Sequence, residues 1–380
     1  MEKVFSAYSA SRAKRAVKIN YMQNKRIAYF ISPHGYGHAA RAAAVMEAIY
    51  RLNPDICFDI FTSIPEIFIR DSVSVKFQYH SVLTDIGLVQ SSPLHADINE
   101  TVKQLDLFFP IKPDLINMLE GILKNQGSEL VICDIAPAGI AAAKRAGIPS
   151  VLIENFTWDW LYQGYTGSNS NMERHIDYLK HLFSQADHHI QARPACCPGS
   201  PELTTYPISR KPRTSARATR KKFNIEEQEK LVIISMGGVP DQYPFLQELC
   251  TYEDYRFIIP CSVEELKIQD NLILLPRQSG YFHPDLINAC DAVIGKTGYS
   301  TLAEIYHAGV PFGYIAREDF RESEVLVTFI KEYMKGLPIR ENDFYNGEWV
   351  SILPGLIALP RIRREEQDGA SQVAEFICRQ

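Results

Sequence analysis

What this chain lacks narrows its chemistry first. No apolar run among its 380 residues approaches the ~20 needed to cross a bilayer. The eight cysteines form no C-x-x-C pair and no regular spacing, and several sit in apolar runs such as Val131-Ile132-Cys133. They read as reduced cytosolic thiols, not as a disulfide framework or a zinc site. Even the adjacent Cys196 and Cys197 lack the partner spacing a metal would need. There is no His-Glu-x-x-His and no Asp-x-Asp, so no metal site is expected and no cofactor is required. A net charge of −5 gives no reason to bind nucleic acid. Residues 1–24 are basic, with Lys3, Arg12, Lys14, Arg15 and Lys18 facing the single acid Glu2, but they lack the apolar core of a secretory signal. They read as an over-extended start or a solvated arm; the sharper alternative is contact with an anionic membrane surface. The expected location is therefore cytoplasmic, with room for a peripheral membrane contact, as a monomer or homodimer.

What is present is alternation. Short apolar runs at 27–32, 56–62, 75–80, 130–134, 150–154 and 188–192 are separated by helical patterns at 38–51, 99–124 and 137–146. Runs that are apolar throughout suit strands covered on both faces, the mark of a parallel sheet. A proline-rich break at 193–212 leads into a basic helix, and the alternation resumes with strands at 231–236, 256–261, 272–275, 292–295 and 312–316. The fold class is α/β, with two doubly wound units at 25–205 and 206–365. A last helix within 366–380 is expected to pack back on the first unit. Two such sheets facing each other make a cleft beyond the carboxyl ends of their strands.

Two glycine turns stand where a strand gives way to a helix. In the first unit the turn is Ser32-Pro33-His34-Gly35-Tyr36-Gly37-His38, with Arg41 one helical turn on. Such a turn aims backbone N–H groups and the positive end of a helix at a reacting group. Two histidines placed in such a turn suggest chemistry, and the helix end disfavours a cationic imidazole at His38. In the second unit the turn is Gly295-Lys296-Thr297-Gly298-Tyr299-Ser300-Thr301, followed by Glu304. Here unpaired N–H groups would hold a diphosphate, and Glu304 would accept ribose hydroxyls. Thr301-x-x-Glu304 also has capping-box spacing, which would leave Glu304 only closing the helix end.

These residues carry a resemblance. The run from Gly298 to Gly309-Val310-Pro311 resembles the donor-nucleotide motif of GT-B glycosyltransferases of the MurG type. The first turn resembles a Gly-x-Gly-His-x-x-Arg loop of a GT-B branch. Most of the chain is similar to the glycosyltransferase-like amino-terminal module of plant L-arabinokinases, through Asn155-Phe156-Thr157-Trp158-Asp159, Ile208-Ser209-Arg210-Lys211, Ser235-Met236-Gly237-Gly238, Pro284-Asp285-Leu286 and Arg317-Glu318-Asp319-Phe320. The sugar-kinase module of those plant proteins has no counterpart here.

The resemblance implies two Rossmann-like domains, with the acceptor on the first and a nucleotide sugar on the second. Gly237, Gly238, Gly298, Tyr299, Ser300, Thr301, Glu304 and Glu322 would bind the donor, a UDP-sugar by this comparison. His34, Asn155, Trp158 and Asp159 would meet a carbohydrate or lipid-linked acceptor, and His38 would deprotonate its hydroxyl in an inverting transfer. Residues 278–283 would flank the base, Ser323 would join Glu322 near the donor sugar, and Asp134 would organise the turn beneath the cleft. The basic run 210–222 would steer a phosphorylated acceptor or simply be a solvated face. Two other roles suit the same cleft: a nucleotide-sugar epimerase or hydrolase, and a non-catalytic sugar-nucleotide sensor. Carboxylates converging on the sugar would favour the epimerase; a roomy aromatic acceptor pocket would favour transfer.

Overall fold

The computed structural model describes residues 26–237, 243–362 and 364–379; the basic arm and Gly238 lie outside the described residues. The first sheet holds β1 (Arg26–Ile31), β2 (Cys57–Thr62), β3 (Phe77–Ser81), β4 (Ser128–Asp134), β5 (Ser150–Glu154), β6 (His188–Ala192) and β7 (Leu203–Thr205). They lie in the order β3-β2-β1-β4-β5-β6-β7 and all pair in parallel. The second sheet holds β8 (Lys230–Ser235), β9 (Tyr255–Val263), β10 (Lys267–Gln269), β11 (Leu272–Pro276), β12 (Ala292–Lys296), β13 (Phe312–Ile315) and β14 (Gly336–Ile339). Its order is β10-β11-β9-β8-β12-β13-β14, parallel except where β10 meets β11. This is the expected α/β architecture. The core lies in layers on both faces of each sheet, which is why the strands are apolar throughout and not alternating.

In each sheet the strand order reverses once, between β1 and β4 and between β8 and β12. At such a switch point successive crossovers leave in opposite directions and open a crevice at the carboxyl ends of the strands. The two glycine turns follow β1 and β12, so each lies at one of these crevices.

The differences from expectation are local. The single helix expected at 99–124 is two, Ile98–Phe108 and Pro113–Gln126, because Pro110 and Pro113 remove backbone donors and clash with a continuing helix. The basic helix is short, Ala216–Lys222. The strands β7, β10 and β14 are only three or four residues long and carry too little pattern to be expected. The last helix, Gly369–Arg379, buries Val373, Ala374 and Ile377 with Ala42, Val45 and Ile49 of the helix Gly37–Leu52. All eight cysteines are free thiols.

Candidate functional site

A cleft of about 580 Å³ is lined by both units. On its amino-terminal wall β1 runs into Gly35, whose φ of +65° is the left-handed conformation glycine adopts without strain. The helix Gly37–Leu52 then places His38 in its first turn, 8 % exposed. Nδ1 of His38 stands 2.8 Å from Oδ1 of Asp134, the last residue of β4 across the switch point. Arg41 donates from Nε to Oδ2 of Asp134 at 2.7 Å and from Nη2 to Oδ1 at 2.6 Å. Burial alone would raise the Asp134 carboxyl, but the Arg41 guanidinium outweighs it and holds the group below the usual carboxylate range. An ionised Asp134 can only accept, so His38 Nδ1 carries the hydrogen of this pair.

The network continues across the cleft. Arg41 Nη1 donates to Oδ1 of Asn155 at 2.6 Å, and Asn155 Nδ2 donates to Oε1 of Glu322 at 2.8 Å. Asn155 was expected at the acceptor and Glu322 at the donor sugar; here the two side chains hold each other. His34 accepts the Leu88 N–H on Nδ1 at 3.2 Å, which assigns a hydrogen to Nε2. Burial, and then the neighbouring His38, Arg317 and Lys296, push the His34 pKa well below its ordinary value, so this ring is a neutral donor.

Two acceptor expectations are overturned by side-chain direction. Trp158 is fully buried and Asp159 also lies off the cleft wall. The short helix Trp158–Tyr162 turns the indole inward against Phe156 and Tyr162, where its Nε1–H donates to Asp85 at 2.9 Å. Asp85 also accepts from Ser32, and burial pushes its pKa up to about 7. The aromatic face on this wall is instead Tyr36 stacked on Phe68, ring centres 4.6 Å apart.

On the carboxyl-terminal wall the turn after β12 presents main chain. Gly298 precedes the helix Tyr299–Ala308 with φ −147°, a conformation open to any residue, and a Cβ there would meet nothing within 4 Å. Its side faces open cleft. The first N–H groups of the helix have no intrahelical partner. Ser300 donates its hydroxyl to the Gly37 carbonyl at 2.6 Å, across the cleft, and a Cβ on Gly37 would come within 3.2 Å of that oxygen. Thr301 lines the cleft, as does Gly237, held at φ +83° beside the Lys296 stem. Tyr299 lines the cleft at the first position of the helix, while its ring packs in the core of the first unit under Arg41 and its hydroxyl accepts the Ile208 N–H at 3.0 Å.

Glu304 is not a cap. The helix starts at Tyr299 with Gly298 as its N-cap, so Thr301 and Glu304 are out of register for a capping box. The Glu304 side chain is buried on the cleft wall. Oε1 accepts from Arg210 Nε at 2.9 Å, and Oε2 is 2.7 Å from His283 Nδ1. His283 Nε2 in turn lies 3.0 Å from the Ser235 hydroxyl. Burial opposes ionisation of Glu304, but Arg210 and His283 outweigh it and keep the carboxyl low.

The loop 278–283 lines the cleft as expected. Ser323 is taken up structurally, 2.6 Å from the Thr297 hydroxyl. The basic run divides: Arg210 and Arg213 stack on Phe282 at 5.0 and 3.9 Å in the cleft, whereas Arg220 is pinned to Asp291 and the Ala289 carbonyl. Lys296, Arg317 and Phe68 were missed as cleft residues. The first two had a signal in the sequence, a cation placed where an apolar strand stops; Phe68 had none.

No protein-family model matches the chain. It is 27% identical over 337 residues to an L-arabinokinase of Arabidopsis thaliana, covering 87% of this chain and 32% of that protein. The chain thus spans about a third of that relative. It is 24% identical over 189 residues to the UDP-N-acetylglucosamine--N-acetylmuramyl-(pentapeptide) pyrophosphoryl-undecaprenol N-acetylglucosamine transferase of Bacillus licheniformis, covering 45% of this chain and 48% of the relative. Among solved structures, a UDP-glucosyltransferase from Polygonum tinctorium superimposes with TM-score 0.61 at 12% identity, covering 94% of this chain and 99% of that one. Acinetobacter baumannii MurG does so with TM-score 0.54 at 14% identity, covering 94% and 100%. The chain therefore has the GT-B fold of these glycosyltransferases, two Rossmann-like units facing across a cleft.

Proposed function

We propose that the protein is a glycosyltransferase that moves a sugar from a uridine-diphosphate donor to a hydroxyl acceptor, with inversion and without a metal cofactor. One observation carries this reading: a buried histidine held by Asp134 and the N-terminus of a helix line one cleft. His38 Nε2 takes the proton of the acceptor hydroxyl as its oxygen attacks the anomeric carbon. The bond from that carbon to the diphosphate breaks on the opposite side, which inverts the centre. Asp134 keeps the ring turned toward the acceptor. The departing diphosphate is met by the N–H groups at the start of the helix Tyr299–Ala308, with Gly237, Ser300, Thr301 and the Lys296 ammonium beside it. Those donors supply the positive charge that a metal would otherwise bring.

Glu304, already on the cleft wall, accepts the ribose hydroxyls. His34 donates Nε2–H to a sugar or acceptor oxygen. Tyr36 and Phe68 offer the acceptor an aromatic face, suited to a carbohydrate or to the head of a lipid-linked substrate. The carboxylates of Glu304 and Glu322 are each tied to neighbours, which favours transfer over epimerisation. Membrane contact, if the acceptor is lipid-linked, would be peripheral: among the described residues no helix is long and apolar enough to span a bilayer.

The test has two steps. UDP at a hundred times its dissociation constant should add about 2.7 kcal/mol of stability in a thermal-shift titration; no shift with any nucleoside diphosphate rejects the donor site. Then UDP release from UDP-sugars in the presence of a panel of acceptor sugars should fall about a hundredfold to ten-thousandfold in His38→Ala, with UDP binding retained. Undiminished turnover in that variant removes His38 as the base.

A further inference from the structure

Arg317 sits in the cleft with no task in the chemistry above. It is 7 % exposed, and its guanidinium carbon lies 3.5 Å from the centre of the Phe320 ring. Nη2 reaches Oε2 of Glu322 only at 3.4 Å, and Nε is buried without any hydrogen-bond partner. Glu322 spends its other oxygen on Asn155. Burial lowers the Arg317 pKa below the ordinary arginine value even with Glu322 and Tyr165 opposing it, so the cation is incompletely compensated. An unmatched buried N–H on a charged group is costly. The unpartnered Nε and the weakly held Nη2 beside it form the planar two-donor fork that a carboxylate fits side-on.

Its position says what would carry that carboxylate. The Arg317 N–H donates to the Ser323 hydroxyl at 2.8 Å, and Ser323 lies 2.6 Å from the hydroxyl of Thr297, the residue before Gly298. Arg317 is thus fixed to the turn that starts the diphosphate helix, one strand over, on the donor side. Its charge also acts on His34 across the cleft. Arg317 lines the same cleft as Gly298 and the two histidines, where the donor-site reading puts the transferred sugar. In a chain of net charge −5 this concentration of cation is local.

We infer that Arg317 binds a carboxylate on the transferred sugar, so that the donor is a nucleoside-diphosphate uronic acid; this rests on the donor-site reading above. The incoming carboxylate takes the fork through Nε–H and Nη–H, and Glu322 stays with Asn155.

Calorimetric titration with UDP, UDP-glucose and UDP-glucuronic acid, repeated with the galactose and galacturonic acid pair, tests this. The wild-type chain should bind at least one uronic acid donor about tenfold to a hundredfold more tightly than its neutral counterpart. The double variant Arg317→Met/Glu322→Gln, which removes both charges together and leaves neither buried alone, should erase the preference while UDP affinity stays within about threefold. Arg317→Lys, which keeps the charge and loses the fork, should cut the preference about tenfold and serves if the double variant does not fold. Equal affinity for uronic and neutral donors in the wild-type chain overturns the inference. So does Arg317-dependent binding of free glucuronate to the UDP complex without any preference among donors, which would move the anion to the acceptor. Absence of UDP binding itself rejects the donor site and this inference with it.

Discussion

On the amino-terminal wall of the cleft the polar work falls to side chains that lock one another: His38 on Asp134, Asp134 on Arg41, Arg41 on Asn155. At the start of the helix Tyr299–Ala308 on the carboxyl-terminal wall it falls to main chain and short side chains, with Gly298 open to the cleft and Gly237 in the left-handed conformation, the side-chain network of Glu304, Arg210 and His283 standing one turn further on. Under the proposed function, the contrast matches what each wall would recognise. A diphosphate is common to every nucleotide sugar, and a helix end binds it through groups that all sequences share. Taking a proton from one hydroxyl demands a ring held in one tautomer and one orientation, and that takes a buried, specific network.

The contrast can be broken first at Asp134. Asp134→Ala leaves the Arg41 guanidinium buried without its carboxylate and should cost about 3–5 kcal/mol of stability, read by denaturant unfolding. A cost under about 1 kcal/mol would show that the side-chain wall is not held together by this pair. A smaller effect sharpens the picture beneath the same wall. Asp85, with its pKa raised to about 7 by burial, holds a proton in the folded chain that the unfolded chain releases near the ordinary carboxylate value of 3.8. Stability from this group is complete below pH ~4 and is lost as pH rises toward and through 7, a fall on the order of 2 kcal/mol between pH 5 and 8. Asp85→Asn should flatten that dependence in melting experiments at the two pH values; an unchanged slope would assign it elsewhere. The smallest effect belongs to the other wall. Gly298→Ala should leave the melting temperature of the ligand-free protein unchanged, since its Cβ meets nothing, yet weaken UDP about tenfold in a binding titration. Unaltered UDP affinity would mean that the diphosphate does not approach this turn.

The sequence made the framework readable because parallel strands covered on both faces announce themselves as short apolar runs, and because both glycine turns sit at the carboxyl ends of strands. His38 was readable for the same reason. Its partner role for Asp134 was not: ninety-six residues separate the pair, and only the adjacency of β1 and β4 at the switch point joins them. Trp158 was misread because a five-residue helix fixes no inward or outward face until the core beneath it is known. Glu304 could be separated from a capping role only once the first helical residue was located. Arg317 and Lys296 were visible as cations at strand ends, but that position alone does not distinguish a cleft from solvent.

The helix Gly369–Arg379 adds a consequence in time. Its buried residues Val373, Ala374 and Ile377 complete the core of the unit that is synthesised first. At translation rates of about 5–20 residues per second, that unit waits roughly ten to thirty seconds for its last piece. Until then the apolar stripe of the helix Gly37–Leu52 has no cover, and His38 rides on that same helix. The proposed catalytic base is therefore set on a finished foundation only when residues 369–379 have emerged, so a ribosome stalled within the second unit would hold a first unit whose supporting layer is open.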